Sequence, residues 1–201
     1  KFPLLTSKGA NGALVFGGST ATPNDWVSLF NGLNTTTDAT SFLIKYGLDP
    51  MQNEYSTRYV DWYSIMIDME STKGDPNSIS GLSKTQIKRA ISNIYSALKG
   101  LNNQDPLPYK LYLVVNPKDN KYYLDKWDVD GIISMNYGES EPKEYLDDFK
   151  YFVENSDNYI IPGINPQNDK AVNPNQFTPA GSVSTYLDLN YNIGHGVFLW
   201  A

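Results

Sequence analysis

The order of the hydrophobic periods is what most restricts the fold of this chain. Six short apolar runs, at 12–18 (GALVFGG), 62–70 (WYSIMIDME), 109–115 (YKLYLVV), 130–137 (DGIISMNY), 159–164 (YIIPGI) and 196–200 (GVFLW), are separated by longer polar or amphipathic stretches. Nearly continuous apolar strands alternating with helices imply a parallel sheet covered by helices on its faces. Either a doubly wound sheet or a (β/α) barrel satisfies that alternation. A barrel gathers its chemistry at the C-terminal ends of its strands. Polar residues collect there: Gly17, Gly18 and Ser19, then Asp68 and Glu70, Asn116, Asn136 and Tyr137, Asn165 and Gln167, and Trp200. Six strands rather than eight, in 201 residues against about 250 for a typical barrel, leave the chain about two βα units short.

The helices between the strands carry their own signals. Ser83 and Gln86 form a capping box at the head of SKTQIKRAISNIYSALKG, the apolar stripe is Ile87, Ala90, Ile91, Ile94, Tyr95 and Leu98, and Gly100 is placed as the stop. Pro142 opens a second amphipathic helix, with Tyr145, Leu146, Phe149, Phe152 and Val153 on its inner side. Weaker patterns predict a helix over 25–33 introduced by Thr22, Pro23 and Asn24, one or two helical turns over 40–47 closed by Gly47, a helical turn over 120–127 and a helix over 179–189. No internal repeat or linker interrupts the chain, which reads as one domain over 1–201.

The run at 62–70 ends oddly, in two acids. Residues i and i+2 of a strand share a face, so Ser64, Met66, Asp68 and Glu70 point one way while Ile65, Ile67 and Met69 point the other. The second set suits packing beneath helices. In a barrel the first set would line the lumen, with Glu70 at the mouth and Asp68 one layer deeper. Carboxylates this close do not both ionise freely, and one of them is left with a raised pKa fit for a general acid.

Composition narrows the function. Sixteen Lys and Arg against 22 Asp and Glu give a net charge of −6 with no large basic cluster, which disfavours a nucleic-acid face or an anionic-membrane anchor. The apolar runs are too short to span a membrane. With no Cys and a single His195, thiolate zinc sites and disulfide frameworks are excluded, and a Ser-His-Asp site is disfavoured. Fifteen Tyr beside many Asn, Asp, Ser and Thr suit a carbohydrate-handling surface, and Asn34-Thr35-Thr36 is a glycosylation sequon. No phosphate-cradling glycine motif is present.

VFGGS at 15–19, YSIMIDMES at 63–71, SMNYG at 134–138 and GVFLWA at 196–201 together resemble glycoside hydrolase family 18, the chitinases and endo-β-N-acetylglucosaminidases. That family carries S-x-G-G on its third barrel strand, D-G-x-D-x-D-x-E on the fourth, M-x-Y-D or Asn-Tyr forms on the sixth and a Trp closing the eighth. FLIKYGLD at 42–49 resembles the helix that precedes its fourth strand. The departures are Tyr63, Ser64 and Met66, where the family has Asp, Gly and Asp, and Gly138, where chitinases often have Asp.

The resemblance implies a (β/α)8 barrel of which this chain holds the third to eighth strands, as a fragment of a longer, secreted or cell-surface protein. It implies retaining, substrate-assisted hydrolysis of β-1,4-linked N-acetylglucosamine, in chitin or in the chitobiose core of N-glycans, without metal or cofactor. Glu70 would be the proton donor, Asp68 would hold the acetamide N–H, Tyr137 would hydrogen-bond the acetamide oxygen and Trp200 would floor the sugar. Gly17, Gly18, Asn136, Asn165 and Gln167 are further candidates for substrate binding. Two other readings remain: a chitinase-like lectin or storage protein that binds such glycans without cleaving them, and a doubly wound domain unrelated to sugars.

Overall fold

The structure, a computed structural model, describes residues 12–18, 20–48, 62–69, 81–102, 109–136, 142–164 and 198–199. Strands β1 (Gly12–Gly17), β2 (Trp62–Asp68), β3 (Lys110–Val115), β4 (Gly131–Met135), β5 (Ile160–Ile164) and β6 (Phe198–Leu199) make one sheet in the order β1-β2-β3-β4-β5-β6. Every neighbouring pair is parallel. A doubly wound sheet reverses its strand order at a switch point, whereas a barrel adds each strand beside the last. The sequential order therefore selects the barrel arrangement. Among the described residues β1 and β6 do not pair, so the sheet is an open, incomplete (β/α) barrel.

Between the strands lie α1 (Pro23–Gly32), α2 (Thr36–Leu43) running into a π-helical turn (Ile44–Leu48), α3 (Lys84–Asn102), a 3₁₀ helix (Pro117–Tyr123) and α4 (Pro142–Asn155). Capping decides where most of these begin. Thr22 accepts from the Asp25 N–H while Asp25 returns a bond to the Thr22 N–H, and Thr35 and Asp38 repeat the arrangement at α2. Ser83 and Gln86 form the box expected for α3.

Several boundaries differ from the sequence reading, three of them for a clear physical reason. The helix expected over 40–47 starts earlier, at Thr36, because Thr35 and Asp38 cap it. The turn expected over 120–127 is the 3₁₀ helix from Pro117, whose fixed φ favours a helical first position. Gly100 does not stop α3, which continues to Asn102 while Leu101 packs against the core. Burying one more leucine outweighs the roughly 1 kcal/mol that glycine costs inside a helix. The helix expected over 179–189 lies outside the described residues.

The two faces of the sheet have separate cores. On the helix side Ile65, Ile67, Leu111, Leu113 and Ile132 meet the buried stripe of α3, Ile87, Ile91, Ile94 and Leu98, and Phe149 and Phe152 of α4. On the inner side Met66, Val114, Ile133 and Met135 form a smaller cluster edged by Ala13, Tyr112 and Ile161. The alternation inferred for residues 64–69 is thus the one the fold uses, with Met66 inward and Ile65, Ile67 and Met69 outward.

Candidate functional site

Asp68 closes β2 on the inner side of the sheet. Its register partners are Gly17 on β1 and Val114 on β3, and Val114 is in turn opposite Ile133 on β4. The carboxylate therefore stands in a row whose other members are glycine or aliphatic, directly above Met66. It is 1% exposed. Among the described residues of the inner face, Ala13, Val15, Ser64, Met66, Tyr112, Val114, Ile133, Met135 and Ile161 beside it, there is no second acid.

Backbone bonds hold this strand end from both sides. The Gly18 N–H donates to the Asp68 carbonyl at 3.0 Å, and the Met69 N–H donates to the Val114 carbonyl at 2.9 Å. Gly17 and Gly18 have φ of 105° and 97°, a region L side chains rarely adopt. They turn the chain off β1 immediately beside Asp68. A Cβ at Gly18 would lie 3.6 Å from Asp68 Oδ2, so the bare backbone passes next to the carboxylate. At Gly17 a Cβ would lie 2.6 Å from Trp26 Cζ2 and nearer still to the Asp68 carbonyl oxygen, so this position is closed to side chains by α1. The glycine pair thus acts on Asp68 through backbone.

Asn136, a sequence candidate for substrate binding, follows β4 directly. By the alternation of β4 it falls on the side of Ile132, away from Ile133 and Met135, and it is 2% exposed. Its Nδ2 donates to the Ser134 carbonyl at 3.0 Å, its Oδ1 accepts from the Ser134 hydroxyl, and its backbone N–H closes onto the Gly163 carbonyl at 2.9 Å. These bonds fasten the ends of β4 and β5. Glu70, Tyr137, Asn165, Gln167 and Trp200 lie outside the described residues, as does His195.

Two inner-face residues not chosen as site candidates flank this row. Tyr112 sits below, opposite Met66, and burial raises its phenol pKa, with Asp130 and Tyr159 adding to the effect, so it remains a neutral hydroxyl. Asn116 follows β3 directly and is half-buried. No grouping of three or more His, Asp or Glu able to hold a metal occurs among the described residues, and none of the described helices is long and apolar enough to cross a membrane.

The chain superposes on the family 18 chitinase of Crocus vernus with a TM-score of 0.59 at 14% identity, over 98% of this chain and 68% of that one. The fold is that of the family 18 chitinases. The ICChI chitinase of Ipomoea carnea gives 0.57 at 15% identity, over 98% of this chain and 71% of that one. The spore cortex-lytic enzyme SleL of Bacillus cereus gives 0.56 at 13%, over 98% of this chain and 57% of that one. At such identities the likeness is one of fold. No family model and no curated protein matches the sequence.

Proposed function

We propose that this chain belongs to the family 18 glycosidases and carries out retaining, substrate-assisted hydrolysis of β-1,4-linked N-acetylglucosamine in chitin or in the chitobiose core of N-glycans. The observation that carries this reading is Asp68: a carboxylate 1% exposed, at the C-terminal end of a parallel strand, on the inner side of a barrel-type sheet and beside a glycine turn. Those strand ends are where barrel enzymes place their chemistry. The similarity in fold to family 18 chitinases supports the substrate class.

In this mechanism the substrate's acetamide oxygen attacks the anomeric carbon while the Glu70 carboxyl gives its proton to the departing glycosidic oxygen. The oxazolinium-like intermediate then takes a water from which Glu70, now a carboxylate, removes the proton, and configuration is retained. Asp68 accepts the acetamide N–H and faces the positive charge that develops on it. A carboxylate shielded from water is worth more in that role than an exposed one. Tyr137 orients the acetamide and Trp200 supports the sugar face. The reaction needs no cofactor, and such a substrate implies a secreted or cell-surface protein.

A second reading, a lectin that binds the same glycans without cleaving them, is favoured by Met66. It is 4% exposed and inward, where the resemblance calls for a carboxylate. The test is hydrolysis of a fluorogenic di-N-acetylchitobioside and of a high-mannose glycopeptide. Cleavage by the wild type, with kcat lowered by about 10² to 10⁴ in Glu70→Gln and binding kept, supports the enzyme. Binding of chitooligosaccharide without cleavage of either substrate establishes the lectin, and absence of both refutes the glycan reading.

A further inference from the structure

We infer that Asn116 is a substrate-contacting residue of the same site, binding a hydroxyl of the sugar seated over Asp68; this rests on the glycan reading above. Tyr112 and Val114 belong to the inner face and Leu111, Leu113 and Val115 to the helix side, so the alternation of β3 brings Asn116 to the inner face. Val114 is paired with Asp68 on one side and Ile133 on the other. One step of two residues along β3 therefore sets Asn116 in the row directly above the carboxylate, toward the C-terminal ends of the strands. On β4 the Val115–Ser134 pairing continues to Met135, another inner-face residue. Asn116 is thus a neutral amide bordered by an apolar side chain, at the end of the sheet where a ligand enters.

The chemistry suits a sugar. An amide offers both a donor and an acceptor without charge, which matches hydroxyls and adds no repulsion to Asp68. It is also held firmly. The Asn116 carbonyl accepts from the Asp119 N–H at 2.9 Å, the first bond of the 3₁₀ turn that begins at Pro117. A residue fixed at its backbone by a strand on one side and a helical turn on the other presents its side chain at low entropic cost.

The competing role is local, a cap for the 3₁₀ turn, and the variants separate the two. Aspartate and serine serve as helix caps about as well as asparagine, but neither supplies an amide N–H. Asn116→Ala, Asn116→Asp and Asn116→Ser are compared with wild type in thermal melts, in chitotriose titration calorimetry and in chitobioside kinetics. Contact with the sugar predicts that Asn116→Asp and Asn116→Ser melt as the wild type does, yet bind about five- to tenfold more weakly, with the loss in KM and kcat nearly unchanged. Wild-type affinity and kinetics in Asn116→Asp overturn the inference while leaving the glycan reading standing. A wild type that neither binds nor cleaves overturns both.

Discussion

The backbone turn at Gly17 and Gly18 yields a quantitative test, because the two glycines share a conformation and differ in their surroundings. Both have positive φ, so alanine at either costs about 1–2 kcal/mol of backbone strain. At Gly18 the added methyl meets only Asp68 Oδ2, at 3.6 Å, which is ordinary contact. At Gly17 it meets the Trp26 ring and the Asp68 carbonyl, and neither yields easily: Trp26 is 2% exposed and stacked on Phe30 at 5.6 Å, and the carbonyl accepts the Gly18 N–H. Overpacking of this kind adds about 1–3 kcal/mol. Gly17→Ala should therefore lose about 2–5 kcal/mol in total and Gly18→Ala only about 1–2. Gly100, inside α3 with open space around it, is the control, where alanine should gain up to about 1 kcal/mol. Urea unfolding followed by circular dichroism orders the series, with equal m-values required for the comparison. Equal losses at Gly17 and Gly18 would show that α1 is not a rigid wall behind β1. Stabilisation by Gly18→Ala would refute the strain argument itself.

Two further outcomes follow from the far side of the sheet. Asn158, 9% exposed, donates through Nδ2 to the carbonyls of Tyr123 and Asp125 and accepts from the Trp127 N–H at 2.8 Å. Asn158→Ala strands these groups and should lower unfolding stability by about 2–4 kcal/mol in urea titrations, against losses below about 1 kcal/mol if water replaces the amide. For Asp125, partial burial pushes the pKa up, but hydrogen bonds from Lys84 and Lys88 and their charges outweigh it, leaving the carboxyl below its ordinary value of 3.8. A depressed folded value gives stability that is present above the unfolded pKa and lost as pH falls through the folded one. Asp125→Asn should accordingly lose less melting temperature than the wild type on going from about pH 6 to about pH 3, and parallel profiles would show that the ion pairs contribute nothing to folding.

Much of this architecture is legible in the sequence because burial follows period. The stripe from Ile87 to Leu98 and the alternation from Ser64 to Met69 each name the face they bury. What escaped was set by local competition. Gly100 reads as a stop only until Leu101 finds the core, and the start of α2 is decided by Thr35 and Asp38, a box written with aspartate in place of the more familiar Glu or Gln. The side of the sheet on which Asn136 falls follows from a rule the sequence itself contains. Met135 and Asn136 are adjacent in a strand, so they cannot both face the lumen, and the inward methionine sends the asparagine to Ser134. The same rule applied to KLYLVVN brings Asn116 inward with Tyr112 and Val114.

The remaining anomaly is energetic. Asp68 shares its row with glycine and aliphatic side chains and stands above the layer of Met66 and Tyr112, and burying a carboxylate there costs several kcal/mol relative to water that its contacts must offset. An aliphatic side chain would complete the row with Val114 and Ile133 and enlarge the inner core. The described sheet has kept an acid at an inner position next to a side-chain-free turn. Departures from local consistency of this sort concentrate where a protein acts on something else.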